Sequence, residues 1–265
     1  MTQTKLPVSA VIITKNEEHN IEDCLRSVGF CSEIIVVDSF STDKTVEIAK
    51  RFTDRVVQRE WQGINNQREF AKGLAKNEWV LDLDADERIS PELAAEVAQL
   101  NLDDKSVDGY FIPRRAFYLG RWIKHGGWYP DYKMRLYRRE KARFIDNDPH
   151  DTVEFSGNTA TLRGTIHHFT YRGISDQLRQ INSFSTARAE LLRRKGRQFN
   201  IFQLLFRPLW KFFNTYILKS GFLDGRAGFI ISVLSSYHVF ATWAKLWELN
   251  SKTSSQPPAS NDRAE

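Results

Sequence analysis

Three largely apolar runs, the first two rich in β-branched residues and each closing on a polar residue, constrain the fold of this chain more than any other feature. Residues 8–14 (VSAVIIT) end on Thr14, residues 33–38 (EIIVVD) on Asp38, and residues 79–84 (WVLDLD) on Asp84. Short continuous runs of this kind read as strands buried on both faces. Helical spacing fills the gaps. Ile21, Leu25 and Val28 share one face of a helix over 20–28. Ser41 and Thr42 stand where a cap would open a helix through Val46, Ile48 and Ala49. Residues 66–76 read as a third helix, and Ser90-Pro91 opens a fourth that ends near Leu100. Arg55–Gln58 adds a further strand. This alternation predicts βαβ units, hence an α/β fold around a mostly parallel sheet. Right-handed crossovers carry every strand's carboxyl end to one edge, where open α/β sheets bind ligands. Thr14, Asp38 and Asp84 are therefore expected to converge there.

The acidic cluster Asp84-Ala85-Asp86-Glu87 follows directly on an apolar strand. Carboxylates at i and i+2 on extended backbone point to one side and repel unless a cation lies between them. Oxygen ligands suit Mg2+ or Mn2+, which complete their shells with water and substrate phosphate. Such a metal would neutralise a diphosphate leaving group. The plainer alternative is a solvated acidic turn ahead of the next helix. Plainer alternatives exist for the other polar residues too. Asp38 reads equally as a turn residue, Thr14-Lys15-Asn16-Glu17 as a cap, and Gln67 with Arg68 as a solvated helix face.

Beyond residue 105 the texture changes. Gly109–Tyr118, Lys133–Arg138, Asp151–Phe155 and Thr161–Phe169 read as strands between turn-rich segments. A polar, basic helix follows from Ile174 to about Gly196. Residues 199–219 and 226–249 read as aromatic-rich helices broken at Ser220-Gly221, and the tail from Asn250 reads as disordered. This divides the chain into 1–172, with halves 7–104 and 105–172, then a helical region 173–249 and a tail 250–265.

Taken in order, VIITKNEEHNIEDCLRSV, EIIVVDSFSTDKTVEIA and NNQREFAKGLAKNEWVLDLDADERISPEL resemble the inverting family-2 glycosyltransferases of the GT-A fold. Through GGWYPDYKMRLYRR, His150-Asp151, IHHFTYR and GFLDGRAGFIISVLSSYHVFATWAKLWE, the chain further resembles that family's lipopolysaccharide core β-1,4-glucosyltransferases. The likeness spans about residues 7–249. It implies a Rossmann-like sheet flanked by helices with a C-terminal helical extension. It also implies that Thr14, Asn16 and Glu17 line a nucleoside pocket, that Asp38 bonds the uracil or ribose, and that Gln67 and Arg68 approach the base or diphosphate. Asp84 would hold the ribose or sugar and Asp86 the metal, with His168 near metal and diphosphate; its neighbour His167 is the alternative. An inverting transfer needs one general base. Asp131, in Tyr-Pro-Asp after Gly126-Gly127, is the first candidate and Asp151 the second. Related sequences carry His-Glu where this one has His150-Asp151.

The resemblance implies a UDP-sugar donor, UDP-glucose in particular, and a lipid-linked acceptor, the inner-core heptose of lipopolysaccharide. A net charge of +5 suits anionic partners. Arg207, Lys211 and Lys219 stand among Phe and Trp after residue 198, which predicts amphipathic helices lying in a membrane interface. Packing on the catalytic region or on a second subunit is the alternative. The N-terminus carries no apolar stretch of signal-peptide length and the two cysteines suggest free thiols, so a cytosolic topology is expected; with the interfacial helices, the resemblance then implies a peripheral place on the cytoplasmic face of the inner membrane. Two other functions share some of these features. A nucleotidyltransferase would want a glycine-rich loop after the first strand, where Thr14-Lys15-Asn16-Glu17 has none. A nucleic-acid-binding module would spread its basic residues along an exposed platform instead of beside apolar helices, so no nucleic-acid partner is expected.

Overall fold

The computed structural model describes residues 5–145 and 152–254. The chain divides into two units, Met1–Lys124 with Trp128–Thr170, and His125–Gly127 with Tyr171–Glu265. The first unit is organised on strand β1 (Leu6–Thr14), whose residues from Val8 onward are all buried. It lies between parallel neighbours: β2 (Cys31–Asp38), with β3 (Val56–Gln58) beyond it, and on the other side β4 (Trp79–Asp84). Val8, Ala10 and Ile12 enter one core with Leu25, Val36, Leu81 and Leu93. Val11 and Ile13 enter a second core with Ile35, Val37, Ala71 and Val80. Successive side chains point to opposite faces and both faces are covered, which is why the run is apolar throughout. Each Leu or Ile so buried contributes roughly 1.5–3 kcal/mol.

Four helices cover these strands: α1 (Ile21–Ser27), α2 (Thr45–Ala49), α3 (Ile64–Gly73) and α4 (Pro91–Ala98). The expected start of α4 is present, with Ser90 Oγ accepting from Leu93 N at 3.2 Å and proline at the first position. The start of α2 differs from expectation. Ser41 and Thr42 lie ahead of the helix, and Asp43 Oδ1 takes the Thr45 amide at 3.0 Å. Ser41 is engaged by Asp38 instead.

The sheet continues through β5 (Glu87–Ile89), β6 (Gly109–Tyr118), β7 (Arg121–Trp122) and β8 (Asp131–Arg138). Strands β9 (Ala142–Ile145) and β10 (Thr152–Phe155) form a separate antiparallel pair. Strands β11 (Thr159–Thr161) and β12 (Ile166–His168) both lie parallel to β6. The sheet is parallel from β3 to β4 and becomes mixed at β8, which runs antiparallel to both β4 and β6. One strand was expected over 161–169; two short ones, 159–161 and 166–168, form instead. Between them Gly164 passes so close to α4 that a Cβ there would lie 2.4 Å from Leu93 Cα. Strands β5, β7 and β9 were not expected, since two to four residues are too few to show a period. Asp151 and His150 lie outside the described residues. Cys24 and Cys31 are free, buried thiols.

The second unit comprises α5 (Ile174–Arg194), α6 (Ile201–Phe213) and α7 (Gly225–Ser254), the last two joined through a π-helical turn and a 3-10 turn. Its core is Ala189, Trp243 and Leu246, with Leu204 and Val239 packed against them. Lys245 Nζ clips α7 to α5 through Asn182 O at 2.6 Å, Ser185 Oγ at 2.8 Å and Thr186 Oγ1 at 2.7 Å. The break foreseen at Ser220-Gly221 is present, with Ser220 left-handed at φ 55°. Against the disorder expected from Asn250, Asn250–Ser254 continue α7; the rest of that expected tail, 255–265, lies outside the described residues. Nothing from 250 to 254 is glycine or proline, so a helix already formed runs on; the first prolines come at 257 and 258.

Candidate active site

Register alone brings the polar strand ends together. Thr14 pairs with Asp38, Ile13 with Asp84, and Asp38 with Gln58, so the ends of four strands meet along one edge of the first unit. Asp38 is wholly buried. Its Oδ2 accepts from Ser41 N at 2.9 Å and Gln58 Nε2 at 3.1 Å, and its Oδ1 accepts from Ser41 Oγ. Ser41 Oγ accepts from Asn16 N at 2.8 Å, and Asn16 Oδ1 accepts from Thr42 N at 2.8 Å. Asn16 sits at φ 56°, a left-handed conformation that asparagine tolerates better than most side chains. Glu17 holds the next turn, its N–H donating to Thr45 Oγ1 and its Oε2 accepting from Asn20 Nδ2, each at 2.8 Å. Gln67 Nε2 donates to Ser39 Oγ at 2.9 Å. Thr14 Oγ1 and Gln67 Oε1 are buried with no hydrogen-bond partner among the described residues. Buried polar atoms are seldom left so, and these two flank the Asp38 turn.

The second half of the edge is an ionic network. Arg68 donates to Asp82 Oδ2 and Asp84 Oδ1, both at 2.6 Å. Arg135 donates through Nη2 to Asp84 Oδ2 and Glu87 Oε1, both at 2.8 Å. Arg114 Nη1 reaches Glu87 Oε1 at 2.9 Å, and its Nη2 reaches Asp131 Oδ2 at 2.7 Å. Lys133 meets the other Asp131 oxygen at 3.2 Å. Three arginines thus thread four carboxylates from Asp82 to Asp131. Burial opposes charge on Asp84 and Glu87, but the arginines outweigh it and hold both carboxyls below their ordinary range. Burial likewise opposes charge on Arg135, and Glu87, Asp84 and Asp82 more than restore it.

This arrangement separates the two aspartates of the Asp-Ala-Asp triplet. A cation between them was expected. Both oxygens of Asp84 are instead taken by guanidinium groups, and Arg68, with 2% of its side chain exposed, is an internal strut. Asp86 keeps an open side. Its Oδ2 lies 3.1 Å from His168 Nε2, and its carbonyl accepts from Phe169 N at 2.9 Å. The antiparallel pairing of β12 with β5 sets His168 opposite Glu87, which delivers the imidazole to this turn. His167 faces Trp122, ring centroids 4.3 Å apart. Among the described residues no three His, Cys, Asp or Glu side chains form a complete metal cage. One carboxylate and one imidazole, both partly exposed, form an oxygen–nitrogen donor pair that leaves positions open to water and phosphate, as Mg2+ and Mn2+ sites commonly do.

Asp131 is 35% exposed. Burial raises its pKa, but Arg114 and Lys133 outweigh this and hold it below the usual carboxylate value. Sequence reasoning missed Arg114, Arg135 and Gln58, and named Glu87 only as a member of the acidic cluster. Only Asp82 carried a signal, since an acid inside a doubly buried strand demands a buried cation.

Residues 9–166 match the family model of glycosyl transferase family 2. An uncharacterized glycosyltransferase of Rickettsia typhi is 34% identical over 93% of this chain and 88% of its own length. The lipopolysaccharide core biosynthesis glycosyltransferase LpsC of Rhizobium meliloti is 29% identical over 92% of this chain and 93% of its own. Among solved structures, the mannosyltransferase PcManGT from Pyrobaculum calidifontis, in complex with GDP-Man and Mn2+, has a TM-score of 0.55 at 15% identity, covering 92% of this chain and 88% of that one. The fold is therefore GT-A, and the shared edge of β1, β2 and β4 belongs to an enzyme: the chain is a member of glycosyl transferase family 2.

Proposed function

We propose that this glycosyltransferase moves a hexose, glucose from UDP-glucose, onto a lipid-linked saccharide, the inner-core heptose of lipopolysaccharide, with inversion. The observation that carries the reading is the meeting, on one strand edge, of a polar turn with two unpartnered buried atoms and an open Asp86–His168 pair. The full-length likeness to LpsC supports the acceptor class and a place on the cytoplasmic side.

The turn formed by Thr14, Asn16, Glu17 and Asp38 receives the nucleoside. Thr14 Oγ1 and Gln67 Oε1 then gain the partners they lack. Asp86 and His168 hold the Mg2+ or Mn2+, which when bound neutralises charge on the diphosphate. Arg68 and Arg135 fix Asp84, and with it the turn that carries Asp86. Asp131, kept ionised by Arg114 and Lys133, takes the acceptor's hydroxyl proton. That oxygen bonds to C1 as the bond from C1 to the diphosphate breaks and UDP departs. Asp151, outside the described residues, is the second candidate for this base.

Membrane association belongs to the same reading. On α6, Phe202, Leu205, Phe206, Leu209, Trp210 and Phe213 are all exposed on one side. Gly221–Ser251 is long and apolar enough to cross a membrane by length and composition. A stripe flanked by cations suits a helix lying in the interface.

The test is release of UDP from UDP-glucose with Mn2+ and no acceptor, followed by mass spectrometry with lipid-extracted acceptors. Slow release is expected in the native chain and its loss in Asp86→Ala. Unchanged release in Asp86→Ala would overturn the assignment of that side chain.

A further inference from the structure

The second unit holds a cationic cleft that the proposed transfer does not use. Between α6, the turn that follows it, and α7 lies an open groove of about 400 Å3 lined by Arg207, Trp210, Lys211, Asn214 and Val239. Among the described residues no carboxylate lines it. Lys211 is half-buried, and its pKa is lowered by burial and then by Lys219. Among the described residues no acid pairs with Lys211 or Arg207; the Arg207 guanidinium lies over the Trp243 ring at 5.1 Å. Lys211 also contributes, after burial, to lowering the pKa of His238, whose Nε2 is buried with no hydrogen-bond partner among the described residues. Cations gathered this way without counter-charge favour an anion entering from outside.

The surroundings select the anion's source. Arg207, Lys211 and Asn214 follow one another at i, i+4 and i+7, along the shoulder of the apolar stripe of α6. On α7, Phe229, Val233, Tyr237, Phe240 and Trp247 form a second exposed stripe at helical spacing. Exposed apolar surface of this extent marks an interaction face. An anion on the shoulder of such a face sits where lipid phosphates lie, between water and acyl chains. A second copy of the chain would cover the stripes but bring the same positive charge to the cleft. We infer that the cleft between α6 and α7 binds the phosphate of an anionic lipid headgroup. This rests on the membrane association proposed above and adds a defined headgroup site to it.

The experiment is co-sedimentation of the full chain with vesicles of phosphatidylcholine, alone or mixed with phosphatidylglycerol. Two charge-matched double variants are compared: Arg207→Gln with Lys211→Gln in the cleft, and Arg193→Gln with Arg194→Gln, exposed at the end of α5. The cleft variant should lose about 10-fold or more in affinity for the phosphatidylglycerol vesicles, and the α5 variant under about 3-fold. Both should keep the native unfolding temperature within a few degrees and the native UDP release in detergent, which separates this site from the catalytic reading. Equal losses in the two variants would overturn the cleft in favour of diffuse attraction. Inorganic phosphate that raises the unfolding temperature of the native chain but not of the cleft variant would overturn the lipid as its source. Failure of the native chain to bind either vesicle, with a dimer in solution, would overturn the membrane reading itself.

Discussion

In the first unit, Arg68 and Arg135 are almost wholly buried, and each meets at least two carboxylates within 2.8 Å. In the second unit, Lys211 is half-buried and the charged neighbour that acts on it is another cation. The first pattern is closed: its charges are cancelled inside the protein, and its function is to hold the strand edge still. The second is open and needs a charge from elsewhere. Buried cations are costly in both places, so the presence or absence of an internal acid separates a positioning network from a binding surface.

The sharpest way to break this comparison is to remove a cation from the closed network. Arg135→Met leaves Glu87 and parts of Asp82 and Asp84 facing each other in a buried site. We expect a loss of about 3–5 kcal/mol in urea unfolding, the usual cost of orphaning a buried charge. A loss below about 1 kcal/mol would show that the network does not depend on internal pairing. Arg135→Lys keeps the charge without the planar fork and should fall between the two.

The outer end of the network tests function rather than stability. Asp131→Asn should lower kcat about 100-fold or more while leaving the donor KM within about 2-fold, because the base acts on the acceptor. A parallel rise in donor KM would make Asp131 a donor ligand. The pH profile carries a sign. Arg114 and Lys133 keep the Asp131 pKa below its ordinary value, so the base stays ionised, and the acid limb it causes should lie below about pH 4. An acid limb near neutrality would assign the base elsewhere, Asp151 being next.

The same contrast explains what could be read in advance. β1, β2 and β4 were legible because both faces of each are buried, which writes largely apolar runs ending at Thr14, Asp38 and Asp84, with Asp82 alone interrupting β4. The α4 start was legible because Ser90-Pro91 is a local signal. The α2 start was misread because Ser41 is drawn away by Asp38, a contact set by tertiary structure. The partners of Asp84 were hidden for a similar reason. Arg135 lies 51 residues on, in the basic run KMRLYRR, and nothing local distinguishes it from Lys133 or Arg138. Only the antiparallel return of β8 beside β4 brings it to the edge. His168 depends likewise on β12 pairing with β5, a strand too short to announce itself. The helical region was legible as composition, but the end of α7 was not. Ser, Lys and Thr at 251–253 resemble a tail until a long helix runs into them.

The smallest expected effect has the opposite sign to the first. Lys211→Met removes a cation that has no internal acid, so it should stabilise the detergent-solubilised chain, by up to about 1 kcal/mol once solvent screening of a half-exposed group is allowed for. Linkage gives a second reading of the same site. The folded pKa of Lys211 lies below its unfolded value, so above the folded pKa the unfolded chain binds more protons and stability rises with pH. The native chain should therefore gain on the variant as pH climbs from the lowered value toward the ordinary lysine range, and the advantage of Lys211→Met should shrink there. If the variant is instead destabilised at neutral pH and the gap does not narrow in alkali, Lys211 has an internal acid partner and the second unit is as closed as the first.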